Sequence, residues 1–218
     1  MSAVATFEES NSLADLIEEL GDISPDRIVR RPAPGTATED DVIRLAEAPH
    51  KRLCELIDAT LVEKAMGWTE ALLAGYVVGT MGEFVRDRNL GFVAGADGMI
   101  RLWPGRVRIP DVAYMSWDRL PGRRRPTKPI PEIYPDIAVE ILSESNTKKE
   151  MEKKRDDYFR TGVKLVWEID PDERSITVYT SPDDSTVLTG EKLVDGGDAL
   201  PGYTLSLPRL FAELDRQG

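Results

Sequence analysis

The sequence has 218 residues, of which 41% are hydrophobic and 31% charged, a balance typical of a soluble globular domain with a substantial core. Its formal net charge of −11 argues against broad, non-specific binding to nucleic acid or to anionic membranes. The single cysteine, Cys54, excludes an internal disulfide, and the single histidine, His50, argues against zinc sites and histidine-dependent triads. We find no signal peptide, and the longest mostly apolar run, residues 71–81, is too short to span a membrane. A cytoplasmic protein is therefore expected.

The N-terminal part is an acidic segment, residues 1–45, interrupted by prolines, which we predict to be an extension packing on a core domain of residues 46–218. Short helices are expected around residues 13–20 and in TEDDVIRLAEA, where Thr38 precedes the carboxylates of a first helical turn. The following stretch, RLCELIDATLVEKAM, predicts a β-hairpin with its turn at residues 58–60.

The next part of the chain combines helical and extended patterns. Apolar residues recur at helical spacing from Thr69 to Arg88, so one stripe of a long helix should face a core. Short strands are expected in GFVAGAD, MIRLW and VRIPDVAYM, followed by a proline-rich loop over residues 116–134. The strand PDIAVEILS then leads to a helix over residues 147–161, to the strands KLVWEID and SITVYTS, and to a closing helix in LPRLFAELDR.

The strand–helix–strand order after residue 135 predicts a crossover between two parallel strands, with the helix covering one face of their sheet. Parallel strands are buried on both faces, which explains why PDIAVEIL lacks a clean alternation. Glu140 nevertheless stands in the middle of this strand, on the same side as Ala138 and Leu142. Because a buried carboxylate is costly without a partner, Glu140 predicts a compensating cation.

Two further acids occupy positions where apolar residues are expected. Asp111 lies in the apolar stretch VRIPDVAYM, and Glu70 lies on the inward stripe of the long helix. If they converge with Glu140, three carboxylates supply the hard oxygen ligands that Mg²⁺ or Mn²⁺ prefers. Lys154 is expected on the sheet-facing side of the second helix, where its ammonium could orient or activate a water beside the metal.

Each of these residues also has a structural interpretation. Glu70 could cap its helix, Asp111 could be a turn residue, and Lys154 could run along the sheet to a salt bridge outside. For Asp136, at the start of its strand, a structural turn is preferred over a metal ligand. The basic cluster Arg123–Lys128 is either a solvated loop or a segment that tracks phosphates.

Several motifs in one consistent order resemble the Uma-two family of the PD-(D/E)XK nuclease superfamily. They are PDVAYM, PDIAVEILSESNT, EKKRDDYFRTGV and VWEIDPDERSITVY, and the likeness covers roughly residues 50–180. The resemblance implies a restriction-endonuclease-like α/β core, with a central mixed β-sheet flanked by helices and a divalent-metal site.

Carried onto this sequence, the resemblance implies roles for four residues. Asp111 and Glu140 match the two signature acids, and Glu70 matches the acid of the first core helix. The superfamily places a lysine two residues after the second acid, where this chain has Leu142, and the family's helix lysine matches Lys154.

The chain departs from the family pattern in two places. Relatives commonly have glycine in the hairpin turn where this sequence has Ala59, which puts the turn geometry in doubt. Many also carry a histidine near the start of the first core helix, and this sequence has no counterpart there.

The resemblance favours a Mg²⁺- or Mn²⁺-dependent endonuclease acting on DNA, with Asp111, Glu140 and Glu70 on the metal and Lys154 aiding the attacking water. A non-catalytic nuclease-fold module that binds a protein partner is the alternative that the acidic charge favours, and a hydrolase of small phosphoesters would share the same site. Restriction-like nucleases often act as dimers, so a homodimer is one of the states considered. No membrane association is expected.

Overall fold

The computed structural model describes residues 12–65 and 67–217. Over these ranges the chain forms five α-helices, a six-stranded and a four-stranded β-sheet, and a two-stranded sheet near the C-terminus. The helices are α1 (Leu13–Glu19), α2 (Glu39–Glu47), α3 (Trp68–Asp87), α4 (Lys148–Arg160) and α5 (Leu207–Asp215). The strands are β1 (Cys54–Ile57), β2 (Thr60–Glu63), β3 (Gly91–Gly95), β4 (Ile100–Trp103), β5 (Arg106–Arg108), β6 (Val112–Ser116), β7 (Ile137–Ile141), β8 (Leu165–Asp170), β9 (Ser175–Tyr179), β10 (Ser185–Thr189), β11 (Leu193–Asp195) and β12 (Thr204–Ser206). None of the helices within these ranges is long and apolar enough to cross a membrane.

The six-stranded sheet forms the centre of the molecule, with the strand order β10-β9-β8-β7-β6-β3. Strands β7 and β8 are parallel and joined by α4, which confirms the predicted crossover, and the other neighbouring strands are antiparallel. Helix α4 covers one face, where Tyr158 packs with Ala138 and Val166. Helices α3 and α5 cover the other face, around the buried Trp167. The expected α/β architecture, a central mixed sheet flanked by helices, is confirmed.

The four-stranded antiparallel sheet, in the order β2-β1-β5-β4, carries the N-terminal part of the chain. Helix α2 buries Val42 against Leu56 and Leu61, and Ile28 forms an antiparallel bridge with Val62 at the edge of the sheet. The described residues of the predicted extension therefore pack on this second sheet. Residues 1–11 lie outside the described residues, and the predicted domain boundary at residue 46 stays a prediction.

The stretch VRIPDVAYM is not the single strand that its pattern predicts. Strand β5 ends at Arg108 in the four-stranded sheet, and β6 begins at Val112 in the six-stranded sheet. Pro110 lies between them and has no N–H to donate to a ladder, so it stands where the chain passes from one sheet to the other. This break places Asp111 at the junction of the two sheets.

The predicted hairpin is confirmed as β1–β2, with a two-residue turn at Asp58 and Ala59. Both residues have positive φ angles, 48° and 55°, as in the I′ turns that suit the twist of two-residue hairpins. Ala59 therefore adopts the left-handed conformation that a glycine would adopt more easily, and the hairpin forms without glycine.

Candidate metal centre and its buried charge network

Asp111 and Glu140 lie side by side on neighbouring antiparallel strands. Val112 pairs with Val139, and the same register continued by one residue sets Asp111 opposite Glu140 on the face that α4 covers. The Ile141 N–H donates to Asp111 Oδ2 at 2.7 Å, and both acids are almost fully buried, with 4% and 3% of their surface exposed. The structure thus brings together the two signature acids.

Two side chains of α4 hold the Glu140 carboxylate. Lys154 Nζ donates to Glu140 Oε2 at 3.0 Å, and the Tyr158 hydroxyl donates to Oε1 at 2.5 Å. Their spacing of four residues places both on one side of the helix. Burial and the neighbouring Asp111 charge raise the pKa of Glu140, although Lys154 opposes the rise. Burial acts to lower the pKa of Lys154, but Glu140 and Glu55 outweigh it, so that pKa is raised and the ammonium stays charged.

Glu55 of β1 is a third buried acid in the network, and the sequence analysis did not single it out. Its Oε1 lies 3.8 Å from Lys154 Nζ and accepts the Ile109 N–H at 3.1 Å. Its Oε2 accepts from Arg108 Nη1 at 2.7 Å, and Arg108 also pairs with Asp157. Burial acts to raise the pKa of Glu55, but Lys154 and Arg108 outweigh it and lower the pKa to about 2. A carboxylate inside the apolar strand CELI is the same signal that singled out Glu140.

Lys64 is the cation that contacts Asp111, and nothing in the sequence distinguished it from a surface lysine. It directly follows β2, and its Nζ lies 2.8 Å from Asp111 Oδ1. The same ammonium donates to the carbonyls of Ile109 at 2.6 Å and Ala96 at 3.4 Å. Each of the two signature acids therefore has its own lysine partner.

Glu70 caps α3. Its Oε2 accepts the Gly67 N–H at 2.8 Å, which is the capping arrangement that the sequence analysis considered as the structural interpretation. The residue also lines the cleft described next. Over the described ranges, no group of three or more histidine, cysteine, aspartate or glutamate side chains stands close enough to hold a metal ion. The predicted convergence of Glu70 with Asp111 and Glu140 is therefore not seen as a preformed cluster.

A cleft of about 640 Å³ opens beside this network, outside the carboxyl ends of the parallel strands β7 and β8. Such crevices are the common ligand sites of α/β sheets. Its charged lining residues are Arg27, Glu63, Lys64, Glu70, Glu144 and Asp172. With four acids and two bases, the cleft favours a cation over a bare polyanion.

The chemistry of the acids fits Mg²⁺ or Mn²⁺. Two adjacent carboxylates offer hard oxygen ligands, and the Asp111 charge contributes to the raised pKa of Glu140. A divalent cation shared by Asp111 and Glu140 would relieve the repulsion between the two carboxylates. To bind there, it would have to replace part of the contacts that the two lysines make with these acids.

Two other expectations concern charged residues farther away. Asp136 accepts from the Ser116 N–H at 2.8 Å and pairs with Arg119 and Lys164, which agrees with a structural role. The basic cluster Arg123–Lys128 belongs to the segment joining the end of β6 to the start of β7, and those are the strand ends remote from Asp111 and Glu140. The basic cluster and the two acids therefore lie at opposite ends of these two strands.

Comparisons with known proteins agree with the fold. The profile of the Uma2 family, described as "Putative restriction endonuclease", matches residues 39–208. The crystal structure of "a putative nuclease belonging to DUF820" from Anabaena variabilis is similar with a TM-score of 0.69 and 23% sequence identity, covering 81% of this chain and 98% of that chain. At that identity the structural likeness shows the fold alone. No curated protein gives a significant match.

Proposed function

Because the chain belongs to the Uma2 family of restriction-endonuclease-like proteins, we propose that it is a Mg²⁺- or Mn²⁺-dependent endonuclease that hydrolyses phosphodiester bonds in DNA. The observation that carries the proposal is the pair of buried acids, Asp111 and Glu140, placed opposite each other behind Lys64, which contacts Asp111 and lines the cleft. Although each acid has a lysine partner, the Asp111 charge still acts to raise the pKa of Glu140, and a divalent cation shared by the two carboxylates would remove that repulsion.

Each side chain of the proposed site has a separate role. Asp111 and Glu140 would hold the metal, and Tyr158 and Lys154 fix the Glu140 carboxylate. A bound Mg²⁺ would polarise the phosphodiester and lower the pKa of a bound water. Lys154, held charged between Glu140 and Glu55, would offset negative charge that develops as water attacks. Glu70 faces the same cleft and could accept a hydrogen bond from that water.

An exposed aromatic side chain supports a nucleic-acid substrate. Trp68, the first residue of α3, is 85% exposed, and its neighbours Gly67, Thr69 and Glu70 line the cleft. An exposed tryptophan next in sequence to residues that line a cleft offers a face on which an unstacked base can lie, and stacking of this kind does not depend on positive charge. This matters for a protein whose net charge is −11.

The deciding experiment is a calorimetric titration with Mg²⁺ and Mn²⁺ of the wild type, Asp111→Asn and Glu140→Gln. Glu168→Gln is the matched control, because Glu168 lies beside Glu140 on β8 but pairs with Arg155. We expect binding in the wild type and the control and none in the two site variants, with metal-dependent DNA cleavage following the same order. Absence of metal binding in the wild type, or binding indifferent to both site substitutions, would refute the metal-dependent mechanism.

One observation favours the second candidate, a non-catalytic module that binds a protein partner. Each signature acid already has a lysine partner, so the site is electrically compensated without a metal. If the wild type binds no metal and cleaves no DNA, this candidate becomes the preferred one.

A further inference from the structure

The two lysines that contact the signature acids differ in their surroundings. Lys154 Nζ is enclosed between Glu140 and Glu55, and Glu55 is itself held by Arg108. Lys64 projects from the short segment after β2, and besides Asp111 its ammonium contacts two backbone carbonyls. Lys64 lines the cleft, whereas Lys154 does not. The two side chains are equally buried, at 4% and 5% exposed, but Lys64 stands at the wall of the cleft, so its ammonium has the shorter path to solvent.

The charges of the network balance before any metal is added. Its four buried acids and four bases are Asp111, Glu140, Glu55 and Asp157 with Lys64, Lys154, Arg108 and Arg106, and Arg106 pairs in addition with the half-exposed Asp58. A divalent cation at Asp111 and Glu140 would add two positive charges within a few ångströms of both lysines, in a site that water reaches poorly. Of the two bases that contact the signature acids, only Lys64 lines the cleft, so its release leads toward solvent.

We propose that Lys64 is an exchangeable counter-ion of Asp111: a divalent cation takes its place on the carboxylate, and the released ammonium turns into the cleft to contact a phosphate of the substrate. This inference rests on the metal site of the proposed function. The flexible four-carbon stem of lysine permits such a movement, because a change of rotamers alone can relocate the ammonium. Arg27 lines the same cleft but is paired with Glu150, so the released Lys64 would supply an unpaired positive charge there.

The exchange makes a specific prediction about metal affinity. In Lys64→Met, which keeps an unbranched side chain one atom shorter but removes the charge, the metal has no competitor on Asp111. We expect Mn²⁺ to bind this variant about ten-fold more tightly than the wild type. Lys51→Met is the matched control for the loss of one positive charge, because Lys51 pairs with Asp97 on the exposed surface, and its Mn²⁺ affinity should equal that of the wild type.

A second measurement uses the wild-type chain and does not depend on how a variant folds. The side chain of Lys64 is only 4% exposed, so its acetylation by a small anhydride that reacts with amines, followed by mass spectrometry, should be slow without metal. Saturating Mn²⁺ should accelerate the acetylation of Lys64 about ten-fold while Lys154 stays protected.

With metal bound, Lys64→Met should also bind DNA more weakly than Lys51→Met does.

The outcomes separate this inference from the proposed function. Tighter Mn²⁺ binding by Lys64→Met than by the wild type, together with metal-accelerated acetylation of Lys64 in the wild type, supports the exchange. A second outcome is that Asp111→Asn abolishes metal binding, Lys64→Met leaves it unchanged or weakens it, and the acetylation of Lys64 does not depend on metal. This outcome overturns the exchange and leaves the nuclease proposal standing. No metal binding in any variant overturns both.

Discussion

At the residue scale, the buried charges of this protein are compensated by other side chains before any ligand is considered. Glu140 raised the question of what stabilises a carboxylate inside a buried strand, and the answer is Lys154 together with the Tyr158 hydroxyl. In the sequence, the acids in apolar stretches favoured a metal for this role. Since the protein's own cations already supply it, a metal at this site would bind by rearranging existing ion pairs, and each member of the network can be tested separately.

The strongest test of the network at neutral pH is Glu55→Gln. The pKa of Glu55 is lowered from its ordinary value of 4.5 to about 2, so its ionised form stabilises the fold above about pH 4.5, and this stability is lost as the pH falls toward 2. The shift corresponds to roughly 3 kcal/mol. We expect Glu55→Gln to lower the free energy of unfolding by about that amount at pH 7 and to flatten its decline between these pH values.

Urea unfolding followed by circular dichroism at several pH values measures both effects. Glu63→Gln is a suitable control, because Glu63 pairs with Arg52 at a partly exposed position where the contribution of an ion pair is small. Equal acid sensitivity of Glu55→Gln and the wild type would contradict the assigned role of Glu55.

Trp68 is the residue for a test of nucleic-acid binding. If a base stacks on its exposed ring, Trp68→Ala should weaken the binding of a single-stranded oligonucleotide about ten-fold, and Trp68→Phe should retain most of the affinity. Fluorescence anisotropy measures the affinity, with Leu193→Ala as a control at another exposed apolar residue. Unchanged binding in Trp68→Ala would exclude the ring as a stacking platform.

At the scale of elements, the site depends on where strands end. The break at Pro110 turns one apolar stretch into β5 and β6, which belong to different sheets, and Asp111 stands at this junction. Helix α4 then contacts both sheets: Lys154 reaches Glu140 and Glu55, and Asp157 reaches Arg108. The helix is rich in buried charges because it lies between two sheets rather than on the surface of one.

The β1–β2 hairpin offers a test of local strain. Ala59 has a φ of 55°, a left-handed conformation that costs a residue with a Cβ about 1 kcal/mol. Ala59→Gly should therefore stabilise the protein by up to about that amount, measured as an increase in the free energy of unfolding in urea.

Gly75→Ala is the matched comparison. Glycine is unfavourable inside a helix, whereas it is favourable in a left-handed turn. Gly75 lies in α3, and a Cβ added to it would meet no other part of the protein within 4 Å. Alanine at this position should stabilise the helix by about 1 kcal/mol in the same urea experiment. If Ala59→Gly destabilises while Gly75→Ala stabilises, the turn strain inferred for Ala59 is wrong.

At the scale of the whole molecule, net charge and site charge oppose the approach of a polyanion. The chain carries −11, and the cleft beside the acids has more carboxylates than basic side chains. A DNA strand approaching this cleft meets repulsion until a divalent cation reverses the local sign. Binding of substrate and metal should therefore be coupled.

The coupling predicts that a single DNA strand of about 20 nucleotides binds to the protein roughly ten-fold more tightly in the presence of Ca²⁺ than in the presence of EDTA. Fluorescence anisotropy at constant ionic strength measures the difference, and gel electrophoresis verifies that the strand stays intact. Asp111→Asn should bind the strand with the same low affinity in both conditions. Equal affinity of the wild type with and without Ca²⁺ would show that the acids do not mediate substrate binding.

The sequence by itself determined the local elements and marked the two carboxylates that the structure sets side by side. Helical spacing predicted α3 and α4, the strand–helix–strand order predicted the parallel pair β7–β8, and carboxylates in apolar strands indicated Asp111 and Glu140. These signals succeed because periodicity and burial are encoded within a few consecutive residues. Strands β10 to β12 went unpredicted, since they are short and partly exposed and carry little of that signal.

Only the tertiary structure decided which cations meet which acids. Lys64 and Asp111 are joined by a contact between segments far apart in the chain, as are Glu55 and Lys154, and no local pattern marks these partners. The structure likewise placed Glu70 at a helix cap and the basic cluster Arg123–Lys128 in the segment between the remote strand ends. The physical reason is that the packing of whole sheets and helices decides which side chain lies next to a buried charge. That a charge will be buried, and so needs a partner, can be recognised from the sequence of a single strand.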